Sequence, residues 1–286
     1  MPDIPQPTYD YDINKLTKAY ERALRDVRSE LDTLFLSDFE RAQIIATERN
    51  ISRILSDMAQ YGDEWAALTT DKAFNDGIAR TIMSLHLAET FEDALKIAQF
   101  NGVNRRLAAA MIADTQADLL AVTQNIERRT RVIIRKASAE VIRAQTASGI
   151  NGVRSIKSAL SKELRKQLGA EANEAIIDAS GRRWKVSHYT EMLARTKLMQ
   201  AQREASINEA IDEGAYYGVI STHGATDACR GYEGKIVKLI AEAPGDYPYI
   251  DELPRREIFH PNCKHVVSPL RDPSRTSADI RRINGN

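Results

Sequence analysis

The sequence has few of the residues that interrupt helices. Its 286 residues include 9 prolines, and no proline lies between Pro7 and Pro244. Aromatic residues are also scarce, at 6%. A proline-free stretch of this length followed by a proline-rich end is typical of helices followed by loops. We therefore predict a mainly α-helical protein, with an extended helical N-terminal body and a small, loop-rich α+β module at the C-terminal end.

A net charge and long apolar runs are also absent. The 40 Lys and Arg residues are balanced by 40 Asp and Glu residues, so no overall charge attracts the chain to DNA or to an anionic membrane. No apolar run approaches the roughly 18 residues that a membrane-spanning helix needs. We expect no membrane partner. A hydrophobic content of 43% is sufficient for a core.

Two amphipathic stripes predict helices in the N-terminal part of the chain. In the first, apolar residues recur at steps of three and four, namely Ile13, Leu16, Tyr20, Leu24, Val27, Leu31 and Leu34. The second is interrupted near Gly62 and consists of Ile44, Ile51, Leu55, Met58, Trp65 and Leu68. A single stripe usually packs within its own protein, and packing on another protein is the alternative.

The stretch from Val103 to Ser148 contains neither glycine nor proline. As one helix it would be about 70 Å long, which is too long to bury in a compact domain. Its second half has a basic side, formed by Arg128, Arg129, Arg131, Arg135, Lys136 and Arg143. Such a run is ordinarily a solvated helix face, and contact with phosphate groups is the alternative.

The chain is predicted to divide into a helical body (1–180), an α+β module (181–270) and a mobile polar tail (271–286). The body is expected to end with a helix over 153–168. The module is expected to contain an extended segment at 182–186, a helix over 188–213 and short strands at 216–221 and 235–239. Ser187 is a suitable N-cap for the helix, and Gly214 is suited to end it.

Both cysteines and three of the five histidines lie within 43 residues, as His223, Cys229, His260, Cys263 and His265. They belong to two polar, turn-rich segments, the first knuckle (221–235) and the second knuckle (259–265). Each knuckle could supply two ligands to one ion. Thiolate and imidazole together suit tetrahedral Zn²⁺, and the binding free energy of the ion would hold the loops closed.

The same cluster is also compatible with roles that need no metal. Neither cysteine belongs to a Cys-x-x-Cys motif, and two cysteines can be small buried hydrophobic residues. The histidines can cap or bridge loop carbonyls. A disulfide between Cys229 and Cys263 would need an oxidising compartment, and no apolar N-terminal signal segment points to one.

The module contains several short motifs in a fixed order. They are Gly-Arg-Arg-Trp at 181–184, Tyr-Thr-Glu-Met-Leu-Ala-Arg-Thr at 189–196, Gly-Val-Ile-Ser-Thr-His at 218–223, Cys229, Gly-Lys at 234–235 and His-Pro-Asn-Cys-Lys-His at 260–265. In this order and spacing they resemble the minor capsid protein 2 family of tailed bacteriophages and the wider group of Mu F-like head morphogenesis proteins. The resemblance covers about 181–270, whereas residues 1–180 share only a helical texture.

The resemblance implies a structural virion component, present in few copies and built in near the portal during head assembly. Its expected partners are the portal protein and the major capsid protein, and it would pass through the host cytoplasm before assembly. Packaged DNA is a further expected partner, through the basic side between Arg128 and Arg143.

The resemblance also implies a ligand set. Related head proteins often have Cys-x-x-Cys in the first knuckle and His-Pro-Asn-Cys-Arg-Cys in the second. Here the first knuckle keeps Cys229 alone and His265 stands where the last cysteine would be, so His223 could complete the set. The positions to which the resemblance assigns the knuckle ligands are His223, Cys229, His260, Cys263 and His265.

Arg195 and Thr196 are expected on the helix that supports the knuckles. We expect Arg195 to have a structural role there, either in an ion pair with Asp227 or Glu233 or as a cap of loop carbonyls.

Enzymatic functions are the alternatives to a structural one. A cysteine near a histidine occurs in thiol hydrolases, and the closeness of His260, Asn262 and His265 would suit a metal-dependent nuclease delivered with the virion. No general-base pairing and no Gly-rich oxyanion turn are recognisable, and zero net charge does not favour a nuclease. We therefore predict no enzymatic activity. A helical DNA-binding scaffold is the remaining alternative.

Overall fold

The computed structural model describes residues 4, 6–36, 41–147, 176–177 and 182–285. Within them the α-helices are α1 (Asp10–Leu36), α2 (Arg41–Ser84), α3 (Phe91–Ile97), α4 (Gly102–Ala147), α5 (Val186–Asp212) and α6 (Ala278–Ile283). The strands are β1 (Ile176–Ile177), β2 (Arg183–Trp184), β3 (Tyr217–Ile220), β4 (Ile236–Lys238) and β5 (Val267–Leu270). This architecture confirms the mainly α fold with a small α+β module. The helix predicted over 153–168 lies outside the described residues.

Five residues of the first apolar stripe are buried, as its spacing predicts, namely Ile13, Leu16, Tyr20, Val27 and Leu31. Leu16 and Tyr20 are 0% exposed and Leu31 is 1% exposed. The Tyr20 hydroxyl donates a hydrogen bond to the Leu119 carbonyl oxygen over 3.0 Å. The stripe therefore belongs to the protein's own core, and it is not a free surface for a partner.

The second stripe differs from its prediction in two places. The helix α2 continues through Gly62, where a Cβ atom would meet Leu119 at an ordinary 3.6 Å, so the glycine interrupts nothing. Leu68 is 74% exposed instead of buried. Trp65, Thr69 and Ala73 are buried around it, so the buried face of α2 passes beside Leu68 and leaves it in solvent.

The long helix predicted from the absence of Gly and Pro is continuous. It is α4, of 46 residues. Its N-terminus is capped by Asn101, whose Oδ1 accepts the N–H of Asn104 over 2.7 Å. One side is buried at helical spacing, through Met111, Thr115, Leu119, Val122, Ile126 and Ile133. The basic residues Arg128, Arg131, Arg135, Lys136 and Arg143 are exposed. No helix in the described ranges is long and apolar enough to cross a membrane.

The chain forms two compact units, each discontinuous in sequence. One consists of Met1–Ile13, Ala66–Thr115 and Met192–Asn286, and the other of Asn14–Trp65 and Gln116–Glu191. The helices α2 and α4 contribute residues to both units, so these units differ from the sequential division predicted at residue 180. That division concerns which segments fold independently, and it stays a prediction.

In the first unit, α5 packs closely against α2. A Cβ atom at Gly77 would overlap the backbone oxygen of Gln202 and would lie 3.0 Å from the Cβ of Ala205. One turn further along α2, the Thr81 hydroxyl lies 2.7 Å from the Ser206 hydroxyl and donates to the Ser206 carbonyl oxygen over 3.1 Å. The lack of a side chain at Gly77 therefore sets how near the two helices can come.

The sheet of the C-terminal module has the strand order β4-β3-β5, with antiparallel pairing throughout. β3 and β4 confirm the two predicted strands, and α5 begins at Val186 and ends before Gly214, whose φ is +70°. β5 was not predicted. It contains Pro269, which pairs with Gly218, and a proline is tolerated there because β5 is an edge strand.

Residues of the polar tail contact the module, and the predicted mobility of 271–286 stays a prediction. The side chain of Asn284 accepts a hydrogen bond from the Ile236 N–H over 2.9 Å and donates one to the Gly234 carbonyl oxygen over 3.0 Å. Ile280 packs against the apolar cluster that contains Tyr217 and Ile236. The short helix α6, capped by Ser277, thus fastens the chain end beside β4.

We predict that Gly77→Ala lowers the free energy of unfolding by about 2 kcal/mol, because the added methyl group overpacks the contact between α2 and α5. Gly62→Ala is the matched control on the same helix. It should raise the stability by about 0.5 kcal/mol, because there is room for the methyl group and alanine favours the helix. Urea denaturation followed by circular dichroism measures both. Equal effects of the two substitutions would contradict the close approach.

Candidate metal centre

The first knuckle is shaped by a capped turn that buries Cys229. The side chain of Asp227 accepts the backbone N–H of Cys229 over 3.0 Å and starts the short 3₁₀ helix Ala228–Tyr232. Gly224 and Gly234, with φ of +74° and +75°, form the bends on either side. This local folding leaves Cys229 1% exposed, with its sulfur directed into the module's core.

The second knuckle is a compact turn braced by α5. Phe259 and Asn262 have φ of 57° and 68°, a left-handed conformation that is uncommon for residues other than glycine. The Cys263 N–H donates to the His260 carbonyl oxygen over 3.0 Å. The Asn262 N–H donates to the hydroxyl of Thr196 over 2.9 Å. Thr196 thus supports the knuckle, in agreement with the resemblance.

Arg195 has a different partner from the two expected for it. Its Nη1 donates to Oδ1 of Asp10 over 2.7 Å, at the start of α1. The side chain of Glu233 instead accepts the N–H groups of His223 and Ala225, each over 2.9 Å. The pairing of Arg195 is structural, as predicted, but its carboxylate partner comes from the N-terminal end of the chain.

Three of the predicted ligands converge on one point. The ligand atoms of Cys229, His260 and Cys263 all lie within 4.8 Å of one another. The two sulfurs are 3.7 Å apart, and a Zn–S bond of about 2.3 Å gives a tetrahedral edge of about 3.8 Å. Nε2 of His260 is 3.0 Å from the sulfur of Cys229. Its Nδ1 lies 2.9 Å from the carbonyl oxygen of Pro261, and such a contact at the other ring nitrogen is usual for a metal-binding histidine.

The other two predicted ligands form an adjoining group. His223 and His265 lie with Glu233 in a second set whose ligand atoms are within 4.8 Å of one another. Nδ1 of His265 is 3.3 Å from the sulfur of Cys263 and 3.3 Å from Nε2 of His223. The five predicted residues are therefore connected by a continuous series of contacts. Of the two sulfurs, His265 lies beside that of Cys263 only.

Glu233 is the residue of this cluster that sequence reasoning did not assign to it. Its Oε1 is 3.4 Å from Nε2 of His265. That nitrogen is buried and forms no hydrogen bond within the described part of the chain. A carboxylate inside a Cys/His segment was the available signal, and its closeness to His265 depends on the pairing of β3 with β5.

The electrostatics of the cluster favour a bound cation. Burial raises the pKa of the Cys229 thiol well above its usual range, and the neighbouring Cys263 adds to this effect. Burial also lowers the pKa of His265, as does the nearby His223. Burial alone would raise the pKa of Glu233, but the hydrogen bonds from the N–H groups of Ala225 and His223 lower it to about 2. The cluster thus contains a neutral imidazole and an ionised carboxylate, and the Cys229 thiol needs a nearby cation to lose its proton.

The donor set fits zinc. Cys229 and Cys263 are free thiols, and their sulfur separation of 3.7 Å is far from the S–S bond length of about 2.05 Å. Two sulfurs with imidazole nitrogens are the ligands that Zn²⁺ prefers, whereas Mg²⁺ and Ca²⁺ prefer oxygen.

A comparison with known protein families places this site in context. The family model for phage minor capsid protein 2 matches residues 41–273. The match extends well beyond the motifs at 181–270 and includes α2 and α4, which sequence reasoning connected to the family only by their helical texture. No curated protein matches the chain, and no solved structure does either. Because the match covers most of the chain, the protein belongs to the phage minor capsid protein 2 family and is a structural component of a phage capsid.

Proposed function

We propose that this capsid protein docks near the portal while the head assembles in the host cytoplasm and then remains in the virion. The family match carries the proposal, because it runs from α2 to the end of β5 and so includes both the long helices and the module. The helices offer long surfaces for the portal and major capsid proteins, and the module provides a compact, closed end.

Zinc is the cofactor that we propose for the module. Cys229, His260 and Cys263 would supply three ligands, because their ligand atoms already converge. His265 is the best placed fourth ligand, with its Nδ1 beside the sulfur of Cys263, and His223 is the alternative. When bound, the ion would join the two knuckles across about thirty residues of chain, and so would stabilise loops that have little regular secondary structure.

A non-enzymatic role also follows from the surroundings of the cysteines. His260 lies at a typical thiol–imidazole distance from Cys229, the arrangement of a thiol hydrolase. Catalytic cysteines are partly exposed and have a lowered pKa. Cys229 is 1% exposed and its pKa is raised, so this pair is suited to holding a metal ion and poorly suited to attacking a substrate.

We predict that the protein is found in particles that contain the portal and is depleted from heads assembled without it. Mass spectrometry of purified heads with and without the portal measures this, with the major capsid protein as the internal reference. Deletion of the gene should yield defective or unstable heads. Normal infectious particles that lack the protein would contradict the proposal.

We predict that Cys263→Ser abolishes zinc binding and loosens the module while the helical body stays folded. Elemental analysis of wild-type protein purified without added metal should give about one equivalent of zinc per chain. In the variant, hydrogen exchange should show lost protection at 217–270 and little change at 13–60, because the body does not depend on the knuckles.

His188→Ala is the control for this experiment, since His188 is exposed on α5 and lies outside the cluster. It should keep both the metal and the protection pattern. Wild-type protein with less than about a tenth of an equivalent of any transition metal would contradict the zinc site. Uniform loss of protection along the chain would contradict the division at residue 180.

Contact with packaged DNA is a second proposed role, for the basic side of α4. Arg128 and Arg129 line a cleft of about 330 Å³ together with Arg183 of β2. Several positive charges on one exposed surface suit the phosphate backbone, which is read without regard to base sequence.

Binding to a nonspecific duplex should therefore weaken steeply with salt, with a slope of about −0.9 for each phosphate contacted. Arg128→Glu should weaken the binding and make its salt dependence shallower. Arg105→Glu, an equal charge change at an exposed site in the first half of α4, should leave both nearly unchanged. Binding that does not vary with salt, or equal losses in the two variants, would contradict the DNA contact.

A further inference from the structure

Arg203 is a buried charge with little compensation. It lies on α5 and is 7% exposed. Its guanidinium stacks over the ring of Phe259, with Cζ 4.3 Å from the ring centroid. Within the described residues, its one ion pair is a contact of 3.5 Å with Glu204, the next residue in the chain. A guanidinium has five N–H donors, and buried charged groups are normally paired. Arg203 therefore has donors to spare.

These donors border a cleft of about 370 Å³ on the surface of the first unit. Arg255 lines the same cleft, with Cζ 5.7 Å from the centroid of the Phe259 ring. Arg255 also forms an ion pair with Asp251 over 3.0 Å, in which both side chains are exposed. Exposed ion pairs of this kind contribute little to stability and exchange readily. Two guanidinium groups and one aromatic ring thus face a single open space.

The charges that line the cleft determine which ligand fits. Arg203 and Arg255 each contribute a positive charge, and Glu204 contributes the one carboxylate among the lining residues. Asp251 compensates Arg255 only through the exposed contact described above. A ligand that displaces Asp251 therefore meets one uncompensated positive charge, which suits a ligand with one negative charge. A phosphate group with two charges would leave one negative charge uncompensated beside Glu204, whereas a carboxylate matches both the charge and the planar fork of a guanidinium.

We propose that this cleft binds a single carboxylate group, and that in the virion this group is an Asp or Glu side chain of a neighbouring head protein. The choice of a head protein rests on the proposed docking function, whereas the binding of a carboxylate rests on the cleft alone. The second knuckle forms part of the wall through Phe259, His260 and Cys263, so the fold of the knuckle shapes the docking pocket.

The experiment uses the full chain labelled with ¹⁵N arginine and follows the Nε–H resonances during titration with sodium acetate, against sodium chloride at equal ionic strength. Acetate should shift the Arg203 resonance saturably, and Arg203→Lys assigns that resonance by its disappearance. Arg255→Gln should weaken acetate binding about tenfold, the usual cost of one charge-assisted hydrogen bond. The matched control is Arg256→Gln, an exposed neighbour that does not line the cleft, and it should change the affinity less than about twofold.

No shift with acetate, or equal losses in the Arg255 and Arg256 variants, would overturn the proposal. Tighter binding of inorganic phosphate than of acetate would also overturn it and would favour a nucleic acid backbone instead. Co-sedimentation with purified portal separates the binding of a carboxylate in the cleft from the docking of the protein near the portal. Loss of retention in Arg255→Gln alone supports the assignment to a partner side chain. If acetate binds but the portal does not retain the wild-type protein, the carboxylate site stands and the docking role near the portal falls.

Discussion

The contact between α2 and α5 is the constraint on which the first unit depends. The backbones meet at Gly77 and are joined by the hydroxyl groups of Thr81 and Ser206. Once seated there, α5 presents an adjacent side to the second knuckle, through the hydroxyl of Thr196 and the buried guanidinium of Arg203. The same helix also forms ion pairs with Asp10 and Asp114. One helix thus connects the N-terminal end of the chain, the helices and the knuckles.

The ligand cluster adds a second connection, between strands instead of helices. The first knuckle follows β3 and the second precedes β5, so the antiparallel pairing of these strands brings Cys229 and Cys263 together. The sheet has three short strands within the described residues, and both cysteines lie in the larger apolar cluster of the module. A metal ion at this point, as we propose, would join the two knuckles to each other beside that cluster. The cluster is therefore best understood as a structural element of a capsid component.

Much of this organisation could be predicted from the sequence, since it depends on local patterns. The absence of Gly and Pro predicted α4, apolar periodicity predicted the buried side of α1, and the short segments at 216–221 and 235–239 predicted β3 and β4. β5 was not predicted because a proline such as Pro269 is unfavourable within a strand unless the strand lies at the edge of its sheet, and the sequence does not show which strand is at the edge. The partner of Arg195 lies 185 residues away in the chain, and no local pattern encodes such a distance. For the same reason the sequence predicted five candidate ligands but could not group them or add Glu233.

Pro269 affects whether a further strand can pair with the outer edge of β5. The Ser221 N–H donates to the Val266 carbonyl oxygen, and bonded pairs alternate along an antiparallel ladder. Pro269 therefore falls at a non-bonded position, where a backbone N–H would point away from β3 and outward from the sheet. Proline has no N–H to offer a further strand at that point. Copies of this capsid protein are thus hindered from joining edge to edge through β5 at this residue, and such strand addition is a known route to aggregation.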